Sequence, residues 1–285
     1  MMSDKVEEVY FSDQSSLDVI TRQLPDGYYS TFRTYGGCTR VLGLKAHLQR
    51  LPNLDASLLR RNLIQLLEPY RPDEARVRVM MTFDGQVHIS IEPLKLLSRE
   101  VYEKGVRVET TATQRKDPRI KSTSFIARSE EDRKHIAKIG IFEALLVKSG
   151  KILEGMTSNF FYVLRAPENA SGLRKHASTT SVAKIAPRSA QHGIVYTAQR
   201  DILLGVTRRT VIRVARGRGL EVRYSPLKLN QLSDVKEAFI TSSSRGIVPV
   251  IQIDDVLVGQ GMPGEITQML ISAYEENVLK AAEKI

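Results

Sequence analysis

Leu153-Glu154-Gly155-Met156-Thr157-Ser158-Asn159-Phe160-Phe161 places one acidic residue at the end of an apolar run, ahead of a small-residue turn and a second apolar run. Some thirty residues earlier stands Asp117-Pro118-Arg119-Ile120-Lys121-Ser122-Thr123-Ser124-Phe125, a single lysine between a proline turn and a hydroxyl-rich segment. A buried lysine can form a Schiff base with an aldehyde cofactor. A carboxylate can keep the ring nitrogen of such a cofactor protonated, so that the ring acts as an electron sink. Lys121 and Glu154 therefore suggest a class of reaction.

Outward from this pair, the chain reads as two blocks of alternating strands and helices. Tyr28 to Tyr35 is a strand closed by the Gly36-Gly37 turn, with Val41-Leu42 returning beside it. Leu54 to Leu67 carries leucines at helical spacing and reads as an amphipathic helix on the sheet. Arg76 to Thr82 and Val87 to Ile91 form a hairpin through Asp84-Gly85. The spacing predicts a small N-terminal unit over residues 1–93, a connection over 94–104, and a larger unit over 105–285 whose strands begin at Val106 to Thr111. The fold class expected is α+β in two domains, with the cleft between them as the binding site.

Two stretches of the second block can hold an anion. Gly205-Val206-Thr207-Arg208 runs a glycine turn into an amphipathic helix, where free N–H groups and the helix dipole attract negative charge. Thr241-Ser242-Ser243-Ser244-Arg245-Gly246 follows the strand-like run Ala238-Phe239-Ile240 and offers hydroxyls and backbone donors. A plain helix start and a plain serine-rich turn are the alternative readings.

With 285 residues, 42% of them hydrophobic and 26% charged, the chain can build one large or two smaller cores. Its single cysteine, Cys38, excludes an internal disulfide and a multi-cysteine zinc site, and no metal is expected. Met1 to Glu8 has no signal-type apolar core and no segment is long enough to span a bilayer, so a cytoplasmic protein without membrane contact is expected. Part of the net charge of +10 lies between Arg165 and His192, where five cations meet only Glu168. That segment reads as a long exposed basic insertion. It has no interleaved aromatics or recognised motif, and nucleic acid is not an expected partner.

Taken in order, His47-Leu48-Gln49-Arg50-Leu51, Ile120-Lys121, Glu154 to Phe161, Gly205 to Arg208 and Glu237 to Thr241 resemble the class IV, fold-type IV pyridoxal-phosphate enzymes over nearly the whole chain. That family includes branched-chain and D-amino acid aminotransferases, (R)-selective amine transaminases and 4-amino-4-deoxychorismate lyase. The resemblance implies pyridoxal 5'-phosphate as cofactor and a homodimer as the working unit. It also implies ping-pong transfer from an amino acid to a 2-oxo acid such as 2-oxoglutarate or pyruvate.

By the same resemblance Lys121 links the cofactor and moves the proton, Glu154 meets the pyridine nitrogen, and Arg50 grips the phosphate with Val206, Thr207, Ser243 and Ser244. Tyr29 and Arg33 match the strand that lines the substrate pocket. Arg78 is open to two readings, a contact for a substrate carboxylate or a structural strand residue. Branched-chain enzymes carry an acidic residue and a glycine where Ser30 and Thr31 stand, and an Asn-Tyr pair where Ser124-Phe125 stands. The short Phe83 to Gln86 turn leaves little room for the carboxylate trap of D-amino acid enzymes. An L-donor with a branched or other apolar side chain is the expectation. Lyase chemistry on 4-amino-4-deoxychorismate, transamination of a D-amino acid or (R)-amine, and a basic anion-binding protein on the same scaffold are the rivals, the last opposed by the intact Lys121, Glu154 and Arg50.

Overall fold

The strand Gly27–Tyr35, buried on both faces from Tyr29 to Phe32 and closed by the Gly36-Gly37 turn in which both residues take positive φ, starts an antiparallel sheet. The computed structural model describes residues 9–11, 17–165 and 193–285. The basic segment, apart from Arg165, lies outside the described residues. In chain order the first unit contains β1 (Val9–Phe11), α1 (Leu17–Gln23), β2 (Gly27–Tyr35), β3 (Arg40–Leu42), α2 (Leu44–Leu48), α3 (Ala56–Leu67), β4 (Ala75–Thr82) and β5 (Val87–Pro93). Asp55 caps α3 by accepting from the N–H groups of Ser57 and Leu58 at 2.9 and 3.0 Å. One face of the helix then buries Leu59, Leu63 and Leu67 against Phe32, Val77, Val79 and Ile89 of the sheet.

A short helix, α4 (Arg99–Lys104), falls in the expected connection and leads into the second unit. There follow β6 (Val106–Thr111), α5 (Ser124–Arg128), α6 (Glu130–Lys138), β7 (Glu143–Lys148), β8 (Lys151–Gly155), β9 (Asn159–Leu164), β10 (Ile194–Thr197), α7 (Val206–Gly217), β11 (Glu221–Tyr224), β12 (Leu227–Lys228), β13 (Val235–Ser242), β14 (Gly246–Ile253), β15 (Val256–Leu257), α8 (Glu265–Ala281) and β16 (Ala282–Lys284). The sheet order β9-β13-β14-β6-β7-β8 closes on itself, because β8 pairs back to β9 through Glu154 and Asn159. Period-two alternation divides the aromatic strands between two cores. Phe160, Tyr162 and Ile240 join one, whereas Phe161, Val163 and Phe239 pack beneath α7 and α8.

The last residues depart from the expected organisation. Ala282–Lys284 does not stay with the second unit but adds an antiparallel edge strand to β3 of the first sheet. Three residues of mixed polarity carry no periodicity that would betray this pairing. A second tie sits beside the expected site. Tyr29 donates its N–H to the Lys121 carbonyl at 2.9 Å, and Thr123 donates its N–H to the Gly27 carbonyl at 3.0 Å. The backbone carrying Lys121 is thereby clipped to the start of β2.

Leu63 is fully buried and Leu279 is 82% exposed, although both are helical leucines. Leu63→Ala should cost about 2–5 kcal/mol in denaturant unfolding, whereas Leu279→Ala should stay within about 0.5 kcal/mol of the parent. Equal losses would contradict the placement of α3 on the sheet.

Candidate active site

Lys121, Glu154, Arg50, Val206, Thr207, Ser243, Ser244, Tyr29 and Arg78, separated by more than two hundred residues of chain, line one cavity of about 610 Å³. Its anion-binding end is built by the start of α7. Val206 and Thr207 open that helix, so their N–H groups have no acceptor within it. Gly205 is required there, since a Cβ would meet Asn159 Oδ1 at 2.2 Å. Arg50 reaches the same place from the end of α2, and its Nη2 donates to the Leu204 carbonyl at 2.9 Å. Burial, reinforced by Arg209, lowers the Arg50 pKa to about 10, which leaves it cationic at neutral pH. Ser243 and Ser244 close this end from the turn between β13 and β14.

Lys121 lies with Nζ 4.7 Å from the centroid of the Tyr29 ring. Burial drives its ammonium pKa well below the ordinary value, and Arg50, Arg78 and Arg115 push the same way. A lysine in that setting is biased toward the free amine that a nucleophile or general base needs.

Glu154 is held from three sides. It accepts from Arg115 Nε at 2.9 Å, Asn159 Nδ2 at 3.1 Å and the Leu203 N–H at 3.0 Å. Burial pushes its carboxyl up to about 7, opposed by the charge of Arg115 and the bonds from Leu203 and Arg115. Arg115 itself stacks on Phe125, 3.9 Å from the ring centroid, and donates Nη2 to the Met156 carbonyl at 2.6 Å. The residue that replaces the tyrosine of branched-chain enzymes is thus a platform for the arginine that pairs with Glu154. Arg115 escaped the sequence reading because it sits in an aperiodic loop after β6. Asn159 lay inside a quoted motif, but its side-chain bond to Glu154 becomes visible only when β8 and β9 pair.

Two expected substrate contacts behave differently from expectation. Arg78 is engaged within the protein by four hydrogen bonds: Nε donates to Thr31 Oγ1 at 3.1 Å, Nη1 to the Leu17 carbonyl and Thr21 Oγ1, and Nη2 to Asp18 at 2.7 Å. It braces α1 against the sheet, which favours the structural reading. Arg33 does not line the cavity. Strands advance about 3.3 Å per residue, so two steps beyond Thr31 the side chain has passed the cavity and lies over the Tyr35 ring instead, 4.6 Å from its centroid. Beyond Thr31 the far wall holds Arg76, Arg133 and Lys95, with Asp18 and Glu92 already engaged by Arg78, Arg133 and Arg76.

Whether this cavity suits pyridoxal 5'-phosphate can be judged from its polar atoms. Thr241 Oγ1, Ser158 Oγ and Arg115 Nη1 are buried on its lining residues without a hydrogen-bond partner, although buried polar groups are ordinarily paired. The cavity also joins a cationic helix start, an amine and a carboxylate. The donor set fits a phosphate-bearing cofactor with a basic ring nitrogen and a carbonyl carbon.

The Amino-transferase class IV family model matches residues 27–253. A putative branched-chain-amino-acid aminotransferase of Methanocaldococcus jannaschii is 28% identical over 283 residues, covering 88% of this chain and 86% of that protein. A D-alanine aminotransferase of Bacillus licheniformis is 22% identical over 292 residues, covering 92% of this chain and 91% of that one. Among solved structures, a putative branched-chain amino acid aminotransferase from Thermotoga maritima superposes with a TM-score of 0.71 at 23% identity, over 94% of this chain and 92% of that chain.

The raised pKa of Glu154 carries a pH signature in the cofactor-free protein. Folding favours the protonated carboxyl, so stability is lost as pH rises from the unfolded value of 4.5 through about 7. Chemical denaturation at pH 5 and pH 8 should show the wild type losing stability relative to Glu154→Gln. A parallel course for the two proteins would show that the carboxyl is ionised throughout.

Proposed function

This chain belongs to the class IV aminotransferases, enzymes that use pyridoxal 5'-phosphate, and we propose that it moves an amino group from an L-amino acid with a branched or other apolar side chain to a 2-oxo acid such as 2-oxoglutarate or pyruvate. The observation that carries the reading is the meeting of Lys121, Glu154 and the Arg50–α7 anion site in one cavity. The name of the Methanocaldococcus relative supports the donor class. Val206 and Thr207 backbone donors, Arg50, Ser243 and Ser244 would hold the cofactor phosphate, and Glu154 would hold the proton on its ring nitrogen. When bound, the cofactor supplies an electron sink for negative charge developing at the substrate α-carbon. Lys121 would carry the covalent link to the cofactor at rest and, once released from that link as an amine, would take and return the substrate α-proton. Arg115 and Asn159 keep the Glu154 carboxylate aimed, and Tyr29 forms the wall beside the lysine.

The far wall favours a second reading for substrate choice. Arg76 retains a buried Nε with no hydrogen-bond partner, and Arg133 and Lys95 stand beside it. Such a wall suits a substrate bearing an additional carboxylate, as 4-amino-4-deoxychorismate does in lyase chemistry. The enzyme is read as a cytoplasmic homodimer, with a lone, buried Cys38 that suits a reducing compartment.

The purified enzyme should be yellow, and borohydride should fix the cofactor covalently to Lys121, as peptide mass mapping would show. An adduct on another lysine would overturn that role. Glu154→Gln should lower kcat by about 10²–10³-fold, the usual scale for an aligned electrostatic group, whereas Arg50→Ala should mainly weaken cofactor retention, by about 1.5–3 kcal/mol.

In half-reaction spectra, L-leucine or L-valine should convert the bound aldehyde to the amine form, and 2-oxoglutarate should reverse it. Conversion by D-alanine or an (R)-amine alone would overturn the donor assignment. Absence of conversion by any amine, with pyruvate released from 4-amino-4-deoxychorismate, would make the enzyme a lyase.

A further inference from the structure

Behind the anion-binding end lies a small recess whose walls include His47, Phe32, Thr207, Ser243 and Tyr274. Thr207 and Ser243 also line the main cavity, so their hydroxyls form the partition between the two spaces. His47, from α2, is 1% exposed and lies against the Phe32 ring, with centroids 5.2 Å apart. Its Nδ1 is 2.8 Å from Ser30 Oγ, and its Nε2 is 3.5 Å from Ser243 Oγ. Thr207 Oγ1 donates to the same Ser243 oxygen at 3.3 Å.

Counting donors and acceptors orients this chain of bonds. Burial holds the imidazole pKa well below its ordinary value, and Arg50, Lys121 and Arg209 add to that effect, so the ring carries one N–H. Ser30 is completely buried, and His47 Nδ1 is its hydroxyl's hydrogen-bond partner. Were Nδ1 protonated, the Ser30 O–H would be left with no acceptor, a costly arrangement in the interior. Ser30 therefore donates to Nδ1, and the ring proton sits on Nε2. Nε2–H then donates to Ser243 Oγ, which also accepts from Thr207. With both lone pairs taken, the remaining donor of Ser243 is its own O–H.

We propose that His47 is a positioning residue for the cofactor phosphate: through its Nε2–H it fills the acceptor side of Ser243 and turns the Ser243 O–H into the main cavity as a donor to the anion. The inference rests on the pyridoxal-phosphate reading of that cavity. Ser30, on β2, sets the tautomer from the far side of the ring and touches no ligand itself. The relay Ser30–His47–Ser243 thus sets the polarity of a phosphate contact from within the protein core.

Imidazole ¹⁵N spectra of the cofactor-free protein, with the His47 signals assigned by their loss in His47→Phe, should show Nε2 protonated and Nδ1 bare, with and without inorganic phosphate. The opposite tautomer would overturn the proposal. Titration of the same cofactor-free protein with pyridoxal 5'-phosphate should show about tenfold weaker binding in Ser30→Ala and in His47→Phe, the scale of one charge-assisted hydrogen bond. Binding of pyridoxal, which lacks the phosphate, should stay within about twofold of wild type by the same reasoning. His47→Gln, whose amide can donate from the Nε2 position, should restore most of the loss. Equal weakening of both ligands would mark a merely structural role, and unchanged phosphate-ester affinity in Ser30→Ala would remove the relay. If His47→Phe does not fold, His47→Gln supplies the assignment, and the wild-type tautomer and Ser30→Ala decide the matter. Failure of wild type to bind pyridoxal 5'-phosphate at all would instead remove the cofactor reading, and the relay's role with it.

Discussion

The buried carboxylate of Glu154 is the constraint on which the rest of the site depends. Its backbone pairs with Asn159 to close the second sheet, and its side chain ties down Arg115, Asn159 and the Leu203 N–H. Three segments remote in sequence thus converge on one side chain: the loop after β6, the β8–β9 turn and the approach to α7. A buried ion pair is a poor source of stability, because desolvating both partners offsets most of their attraction. An apolar pair of similar volume would close the same gap at no greater cost. Retention of charge here is explained by what the carboxylate does for a ligand, and burial near neutral pKa leaves it responsive to a cation placed against it.

Cation crowding is the complementary constraint. Arg50, Arg115, Lys121 and Arg78 all face the cavity, and each arginine depresses the lysine further. Without a ligand this arrangement repels itself, and a phosphate ester relieves it. The same field that lowers the Lys121 pKa favours an anion in the pocket. Activation of the nucleophile and retention of the phosphate are therefore one electrostatic arrangement, and weakening one arginine disturbs both. Arg50 sits nearest to this coupling, as it joins the helix start to the set of charges acting on Lys121.

Local signals in the sequence were sufficient where a single segment carried them. The strand from Tyr28 to Tyr35, the Asp84-Gly85 hairpin, the leucine spacing of α3 and the glycine start of α7 all appear as read. The expected cofactor residues meet in one cavity because their motifs sit at strand ends and turns, where side chains point out of the layers. What escaped were relations between segments. The return of Ala282–Lys284 to β3 rests on backbone pairing of three residues without apolar rhythm. Arg115 carries no local mark of its pairing with Glu154. Arg78 could be placed beside the cavity by strand parity, yet only the position of α1 shows its donors to be engaged by Leu17, Asp18 and Thr21.

Departures from the branched-chain pattern acquire a physical meaning in this light. Ser30, where those enzymes carry an acidic residue, holds the imidazole of His47 and so serves the phosphate end rather than the substrate. Phe125, where they carry a tyrosine, gives up a phenol and provides a flat face for Arg115. Thr31 accepts from Arg78 and thereby helps fix the arginine in the cavity wall. The three changes lie around the cofactor and at the wall beneath the substrate, so the cofactor machinery is retained with different supports. Apart from these changes stands the far wall, where Arg76 keeps an unpaired Nε beside Arg133 and Lys95. A carboxylate placed there gains charge-assisted bonds without displacing Arg78 from its brace. Arg76, Lys95 and Arg133 are therefore positions where the charge of the wall can be changed apart from the chemistry at Lys121.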